Sequence, residues 1–179
     1  MDSHASVQAL RSPERWLAFL RIAIGLWFAK ALFTKLSVTL LWGFLPVPTA
    51  SDRWIHVMPI LVAKYAEGNP VGFFRQFMQQ TVIGHTHLFA QLTAFGETAV
   101  GLGLVFGCLT ALASGIGMFL VLNYGLAVQW QGSAQQGFHY ALLVSLVAIL
   151  ASRAGRHWGV DGWVRVRHPG SWLARTPLG

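Results

Sequence analysis

Four long apolar segments constrain the fold of this chain more than any other feature of its sequence. They cover roughly residues 16–36, 86–109, 111–129 and 138–152, and the first can continue toward Leu45. An α-helix needs about 20 residues to cross a bilayer, which the second and third segments match, while the fourth must borrow flanking residues. The sequence therefore predicts an all-α integral membrane protein built as a four-helix transmembrane bundle.

The composition agrees with a lipid-facing protein and argues against a soluble one. Hydrophobic residues make up 54% of the 179 residues. Charged residues make up only 11%, against roughly 25% in soluble domains. The eight Trp and twelve Phe residues are typical of aromatic belts at the two membrane interfaces.

The formal net charge of +7 would suggest nucleic acid as the partner of a soluble protein, but here the positions of the charges indicate topology. Seven arginines lie before the first apolar segment or after the last: Arg11, Arg15, Arg153, Arg156, Arg165, Arg167 and Arg175. Basic residues favour the cytoplasmic side, so both termini are expected in the cytoplasm. We therefore expect membrane lipids, and no nucleic acid, as partners.

Three parts follow from this interpretation. Residues 1–15 form a cytoplasmic N-terminal segment, residues 16–155 form the membrane bundle, and residues 156–179 form a basic cytoplasmic tail. The tail is expected to be attracted to anionic headgroups. The single cysteine, Cys108, excludes an intrachain disulfide or a dithiol redox pair, so a cofactor or a partner must carry any electrons.

The long outer loop at 46–85 is expected to carry short interfacial helices between spans one and two. Ser51 is a helix-capping signal, and Asn69 followed by Pro70 suits the start of a second helix. Five apolar residues then share one helical face: Val71, Phe74, Phe77, Met78 and Val82. This pattern predicts an amphipathic helix at the outer membrane interface.

Glu97 lies alone in the middle of the apolar stretch "AFGETAVGLGLVFG" of span two. An unpaired carboxylate in lipid costs several kcal/mol, so this group must face the bundle and find a partner or hold a proton. Counting residues along antiparallel spans favours Lys30 as the partner and Arg21 as the second choice, with Lys35 nearer the outer face. A structural ion pair and a functional site are equally supported.

Polar residues at the outer ends of the spans are candidates for a quinone pocket. His87 and Gln91 share a face of span two, Asn123 and Tyr124 lie in span three, and His139 begins span four. Neutral imidazoles and amides beside aromatic rings suit quinone carbonyls. Outer cations that suit a small anion are Arg53, Lys35 and His85.

A metal or haem is not expected. His85 and His87 form an H-x-H pair, but no nearby acid completes a metal site. His87 and His139 are the pair that a b-type cytochrome would use between spans two and four, and no other feature of the sequence requires haem.

Three stretches together resemble the DoxX/DoxD family of small four-helix membrane proteins: "LRIAIGLWFAKALFTKL", "FGETAVGLGLVFGCLTALASGIGMFLVLNYGLA" and "HYALLVSLVAILASRAGRHWGVDG". The resemblance covers most of residues 17–162 and is closest to the DoxD branch. Seven residues match its charged and glycine positions: Arg21, Gly25, Lys30, Lys35, Glu97, Gly101 and Asp161. The resemblance also places Asp161 beside arginines at the cytoplasmic surface. His139 stands where relatives carry an acidic or other polar residue.

The resemblance implies a membrane subunit of a quinone-linked oxidoreductase that oxidises a small sulfur compound, such as thiosulfate, and reduces quinone. Glu97, Lys30 and Arg21 would then be the catalytic residues. A second subunit of the DoxA type, or another redox partner, and a bacterial or archaeal cytoplasmic membrane are implied. Association between copies of the chain is left open.

The main alternative is a non-catalytic membrane scaffold that anchors a redox partner. A small-solute carrier is less well supported, because the sequence lacks the internal repeats of such proteins.

Overall fold

The computed structural model describes residues 12–171, apart from the side chain of Leu41. Arg11 and Arg175, two of the arginines used in the topology prediction, lie outside the described residues, as does most of the predicted N-terminal segment. In chain order the elements are α1 (Pro13–Ala29), α2 (Ala31–Thr34), β1 (Leu36–Leu41), β2 (Leu45–Ala50), α3 (Asp52–Ala66), α4 (Gly72–Gln76), a π-helix (Phe77–Val82), α5 (Thr86–Phe106), α6 (Thr110–Val128), a 3₁₀ turn (Gln129–Gln131), α7 (Ser133–Ser152), a second 3₁₀ turn (Ala154–Arg156) and α8 (Val160–Arg167).

Four helical segments are long and apolar enough to cross a membrane: Pro13–Thr34, Thr86–Phe106, Thr110–Gln131 and Ser133–Ser152. The predicted four-span, all-α membrane protein is therefore confirmed. Because the number of spans is even, both ends of the described chain lie at one face, which we call the terminal face. Residues 35–85 lie at the opposite face, which we call the loop face.

A shared apolar core holds the four spans together. Phe28 of α1, Val100 and Leu104 of α5, and Leu120 and Leu146 of α6 and α7 belong to one buried cluster. Residues on the outer faces of the same helices are exposed apolar side chains, as expected for surfaces that face lipid.

Glycines bring α1 and α5 unusually close. A Cβ atom added at Gly25 would lie 2.7 Å from the backbone nitrogen of Val105, and one added at Gly101 would overlap the backbone of Ala29. Small residues permit this close backbone contact between helices in lipid. The contact fixes the register of the two antiparallel helices and therefore the depth at which their polar residues meet.

The hairpin of β1 and β2 was not predicted from the sequence. Span one ends at Thr34, and an antiparallel ribbon pairs Leu36 with Ala50 at its base and Leu41 with Leu45 at its tip. Prolines at 46 and 48 cannot continue a helix, and Val38 and Thr39 are β-branched. These residues are the signal that was available, although the apolar character of the stretch suggested a longer span.

The loop face carries the short helices that were predicted there. The Ser51 hydroxyl accepts a hydrogen bond from the backbone N–H of Trp54 at 3.3 Å, as expected for an N-cap. The second helical piece starts at Gly72, two residues later than predicted, and buries Phe74, Met78 and Val82.

Buried Asn69 ties this second piece to the bundle rather than beginning its helix. Its Oδ1 accepts from the N–H of Val71 at 2.9 Å, while its Nδ2 donates to the carbonyls of Leu126 and Ala127 at 3.0 and 3.2 Å. The side chain thereby satisfies carbonyls at the end of α6 that lack a partner in the helix.

We predict that Gly101→Ala destabilises the protein by about 2 kcal/mol, because the added methyl group must push the α1 backbone away. Reversible unfolding by SDS in mixed micelles, followed by tryptophan fluorescence, measures the difference.

The matched control is Gly115→Ala in α6, where an added Cβ meets no atom within 4 Å. This control is expected to be neutral or to stabilise by up to about 1 kcal/mol, since alanine has the higher helix propensity. Equal effects of the two substitutions would contradict the proposed importance of the glycine contact.

Candidate functional site

The Glu97 carboxylate is the centre of a buried polar group near the loop face. Only 7% of Glu97 is exposed, and its Oε1 accepts two short hydrogen bonds. The Lys35 ammonium donates one at 2.7 Å, and the Tyr124 hydroxyl donates the other at 2.6 Å. The end of span one, the middle of α5 and the outer half of α6 therefore meet at one oxygen atom.

The partner of Glu97 is Lys35, and the prediction of Lys30 was wrong. Helical residues advance by about 100° each, so Lys35 projects on nearly the same side of span one as the buried Phe28, whereas Lys30 is about 200° away from Phe28. The depth argument placed Lys30 within a turn of Glu97 but ignored its direction. The seven-residue spacing of Arg21, Phe28 and Lys35 was the available signal.

Lys30 instead lies on the exposed side of span one. Its ammonium is 3.4 Å from the centre of the Trp27 ring, which is a cation–π contact. The Trp27 ring in turn packs edge-on against Phe138 of α7, with centroids 5.2 Å apart.

Trp54 of α3 extends the group around Glu97 and was missed by the sequence analysis. The Lys35 ammonium lies 4.0 Å from the centre of the Trp54 ring. The Trp54 indole N–H donates to the Thr93 hydroxyl at 3.1 Å, and that hydroxyl donates to the Phe89 carbonyl at 2.9 Å. Thr93 lies one turn before Glu97 on α5, so the loop-face helix α3 covers the ion pair.

Gln91 of α5 binds the end of the hairpin at the loop face. Its Oε1 accepts a hydrogen bond from the backbone N–H of Ala50 at 2.8 Å, which fixes the end of β2 to α5. The N–H of Ser51 donates to the carbonyl of Lys35 at 2.8 Å. These two bonds close the base of the hairpin directly above the ion pair.

The five residues predicted to form a quinone pocket do not all meet. Tyr124 contacts Glu97, and Gln91 lies near the same site. His87 is exposed on α5, and Asn123 donates to the Phe119 carbonyl of its own helix at 2.8 Å. His139 is buried, but its Nδ1 lies 2.7 Å from the Gln135 carbonyl of its own helix, and it packs near Gly125.

Arg21 belongs to the terminal face, and the prediction that it could reach Glu97 was wrong. Its guanidinium is fully buried and donates to the carbonyls of Leu104 at 2.7 Å and of Trp158 at 3.0 Å. Leu104 is seven residues beyond Glu97, or about 10 Å along the helix axis. Arg21 therefore satisfies the carbonyl end of α5, where a cation is favourable.

Asp161 has a corresponding role at the start of α6. Its carboxylate accepts the backbone N–H groups of Leu109 and Thr110 at 2.8 and 2.9 Å. An acidic side chain from α8 therefore caps α6, whose N-terminus favours negative charge. The hydrogen bonds described for Asp161 go to these backbone groups, and its charge also interacts with the nearby arginines Arg21 and Arg156.

Of the three cations predicted to bind an anion, Lys35 alone contacts the Glu97 group. Arg53 is exposed on α3 at the loop face. His85 is also exposed there, and its Nδ1 lies 3.0 Å from the carbonyl of Thr81. Within residues 12–171, no three His, Cys, Asp or Glu side chains come close enough to hold a metal ion.

Two described cavities lie at the terminal face rather than beside Glu97. One of about 230 Å³ is lined by Thr110, Ile149, Arg153 and Asp161 among others. Cys108 is also at this face, where desolvation and the charge of Asp161 raise the pKa of its thiol. The thiol is therefore mostly protonated and weakly nucleophilic at neutral pH.

The arrangement around Glu97 compensates a negative charge inside the bundle. An ammonium and a phenol stabilise the carboxylate, and a tryptophan ring shields the ammonium from one side. The Lys35 side chain keeps 18% of its surface exposed, so its ammonium has access beyond Glu97. Of the predicted catalytic set, neither Lys30 nor Arg21 meets Glu97. The groups on its carboxylate are instead Lys35, which was predicted to bind an anion, and Tyr124, which was predicted to bind quinone.

A protein-family model matches the chain over residues 16–172, and its description is the TQO small subunit DoxD. This range contains span one from residue 16 onward, the other three spans, the hairpin and the Glu97 group. Neither a curated protein nor a solved structure matches the chain.

We predict that Lys35→Met destabilises the protein by about 3 kcal/mol, because it leaves a buried carboxylate with the Tyr124 hydroxyl alone. SDS unfolding in mixed micelles is again the measurement. The control Lys30→Met removes a lysine from the exposed side of the same span and should cost under about 1 kcal/mol.

Adding Glu97→Gln to Lys35→Met should recover most of the lost stability, since a neutral amide requires no counter-ion. A Lys30→Met effect as large as that of Lys35→Met would contradict the assignment of the ion pair.

Proposed function

Because the chain belongs to the DoxD family, we propose that it is the membrane subunit of a quinone-linked oxidoreductase acting on a small sulfur compound such as thiosulfate. Its place in the membrane follows from the four apolar spans. The single observation that supports a catalytic role is the Glu97 carboxylate, which is buried and hydrogen-bonded to Lys35 and Tyr124.

A charged group of this kind is costly in a membrane bundle unless it is used or paired. Glu97 lies at the middle of α5, and its two partners come from the end of span one and from α6. One of them, Lys35, lies against the ring of Trp54. Intramembrane acids with basic neighbours commonly mark proton or substrate pathways.

The described residues fit a quinone headgroup in part. A quinone carbonyl needs a hydrogen-bond donor, and the Lys35 ammonium, which has three N–H groups, can supply one next to the ring of Trp54. The single O–H of Tyr124 already donates to Glu97. His87 is exposed, and Asn123 and His139 bond to carbonyls of their own helices, so the headgroup would be held by Lys35 and Trp54 rather than by the five residues first predicted.

The chemistry requires both electrons and protons to balance. Joining two thiosulfate anions through a new sulfur–sulfur bond releases two electrons, and a bound quinone would accept these two electrons together with two protons. Glu97 is the residue of this chain that is placed to hold a proton near the site and to pass it on, while Lys35 stabilises the carboxylate that remains. Tyr124 orients the carboxylate through its hydroxyl.

Exposed cations at the loop face would attract the anionic donor. Arg53 and His85 lie on this face, as does the partly exposed Lys35. An excess of positive charge near a site raises the local concentration of anions and their association rate. We propose that the sulfur compound approaches from this side.

The arginine distribution favours a cytoplasmic terminal face, which would put the loop face outside a bacterial or archaeal cytoplasmic membrane. A small subunit implies at least one further subunit in the complex. A partner of the DoxA type, or another redox protein, would then meet this chain outside the lipid.

A non-catalytic scaffold is the second candidate, and one observation favours it. The hydrogen bonds of Glu97 join three spans at one oxygen atom, which is also what a purely structural ion pair would do. Measuring stability and activity on the same variants distinguishes a catalytic Glu97 from a purely structural one.

We predict that Glu97→Gln lowers thiosulfate-dependent reduction of a short-chain quinone at least about 100-fold in membranes that contain the complete complex. The amide keeps the size and the hydrogen-bond acceptor of the carboxylate but loses its proton chemistry. Absorbance of the quinone gives the rate, and SDS unfolding gives the stability of the same variant.

Glu67→Gln is the matched control, because it makes the same chemical change at an exposed acid at the end of α3. Its activity should equal that of the unmodified protein. Full activity in Glu97→Gln would remove Glu97 from the mechanism and leave the scaffold as the supported function.

A further inference from the structure

The two long edges of the hairpin differ in their hydrogen-bonding capacity. The N–H of Ser51 donates to the carbonyl of Lys35, and the next pair along the ladder is Leu36 with Ala50. This bond shows which pairs of the ladder are hydrogen-bonded to each other and which are not. In an antiparallel ribbon every second pair points its N–H and C=O groups away from the partner strand. Here the outward-pointing positions are Leu36, Val38 and Leu40 on β1, and Pro46, Pro48 and Ala50 on β2.

The edge of β2 offers no free N–H group. Pro46 and Pro48 have no N–H, and the N–H of Ala50 already donates to Gln91 at 2.8 Å. Proline at alternate outward positions is a common way to prevent a further strand from pairing. The edge of β2 is therefore closed.

The edge of β1, in contrast, is open. Val38 is 70% exposed and Leu40 57% exposed, and within residues 12–171 β1 has no strand neighbour other than β2. The hairpin contains no charged residue from Leu36 to Ala50, so no side chain repels an approaching strand. The C=O of Leu40 accepts the N–H of Gly43 at 3.4 Å in the turn, but no partner is described for the backbone groups of Val38. An uncharged edge with such groups is a template for pairing.

We propose that β1 pairs with β1 of a second copy of this chain, which makes a two-fold symmetric dimer with a four-stranded sheet at the loop face. The outward positions are symmetric about Val38, because Leu36 and Leu40 lie two residues on either side. Two antiparallel copies can thus exchange bonds at Val38 and place Leu36 of each opposite Leu40 of the other.

The proline edge explains why such pairing would stop at two copies. The new sheet has the strand order β2, β1, β1 of the partner, β2 of the partner, and both of its outer edges are closed by Pro46 and Pro48. A two-fold interface uses the same surface on both copies and is self-limiting. The side chains of Val38, Leu40, Pro46 and Pro48 would form one apolar face on each half, since residues two apart lie on the same side of a strand.

Cysteine cross-linking in native membranes tests this pairing. In a Cys108→Ser background, Val38→Cys should form a disulfide-linked dimer of the full chain on mild oxidation. Opposed residues of a hydrogen-bonded pair have Cα atoms about 5.5 Å apart, which a disulfide can span. Pro48→Cys is the matched control, because it places a thiol on the same face of the same ribbon but at the closed edge, and it should form no disulfide-linked dimer.

A second variant tests the hydrogen bonds directly. Val38→Pro removes an N–H that the hairpin itself does not use, so the fold should persist, as judged by circular dichroism and SDS unfolding. The mass of the gently extracted protein should fall from two copies to one. Pro48→Ala, which adds an N–H to the other edge, should leave two copies.

Several results would overturn the proposal. These are equal cross-linking at positions 38 and 48, no cross-linking at position 38, a single copy in the unmodified protein, or two copies in Val38→Pro. Cross-linking of Val38→Cys to a different polypeptide would show that β1 receives a strand from another subunit instead. None of these results depends on oxidoreductase activity, so they separate this proposal from the proposed function.

Discussion

One buried carboxylate sets the arrangement of the loop half of this protein. Glu97 must be compensated because an isolated charge in an apolar bundle is costly, and it receives an ammonium from Lys35 and a hydroxyl from Tyr124 at 2.7 and 2.6 Å. These contacts form only if the end of span one, the middle of α5 and the outer half of α6 lie at the same depth in the bundle. The same ammonium lies against Trp54, so the charge also positions the helix that covers the loop face.

The close contact of α1 and α5 makes that compensation possible. Gly25 and Gly101 let the two backbones touch, which fixes their antiparallel register. With this register Lys35 reaches Glu97, while Arg21 reaches the carbonyl end of α5. Stability and chemistry therefore depend on the same pair of helices, which is why activity and unfolding must be measured on the same variants.

Polar side chains close the opposite half of the bundle at the helix ends. Arg21 binds the last carbonyls of α5, and Asp161 binds the first N–H groups of α6. These terminal carbonyls and N–H groups have no partner inside their own helices. The roles of Arg21 and Asp161 are not visible in the sequence, because each side chain binds backbone that is far away in the chain. Both residues match family positions, yet their described contacts are structural and lie about 10 Å or more along the axis from Glu97.

The sequence by itself determined the membrane class, the four spans, the capped helix at Ser51 and the need for a partner to Glu97, because hydropathy, helix caps and the cost of a buried charge are local properties. Its residue count also gave nearly the right depth for that partner. Only the tertiary structure decided that the partner is Lys35, that Tyr124 and Trp54 join it, and that residues 36–50 form a hairpin. These outcomes depend on the direction in which each side chain points and on which helix faces touch, and packing between distant segments fixes both.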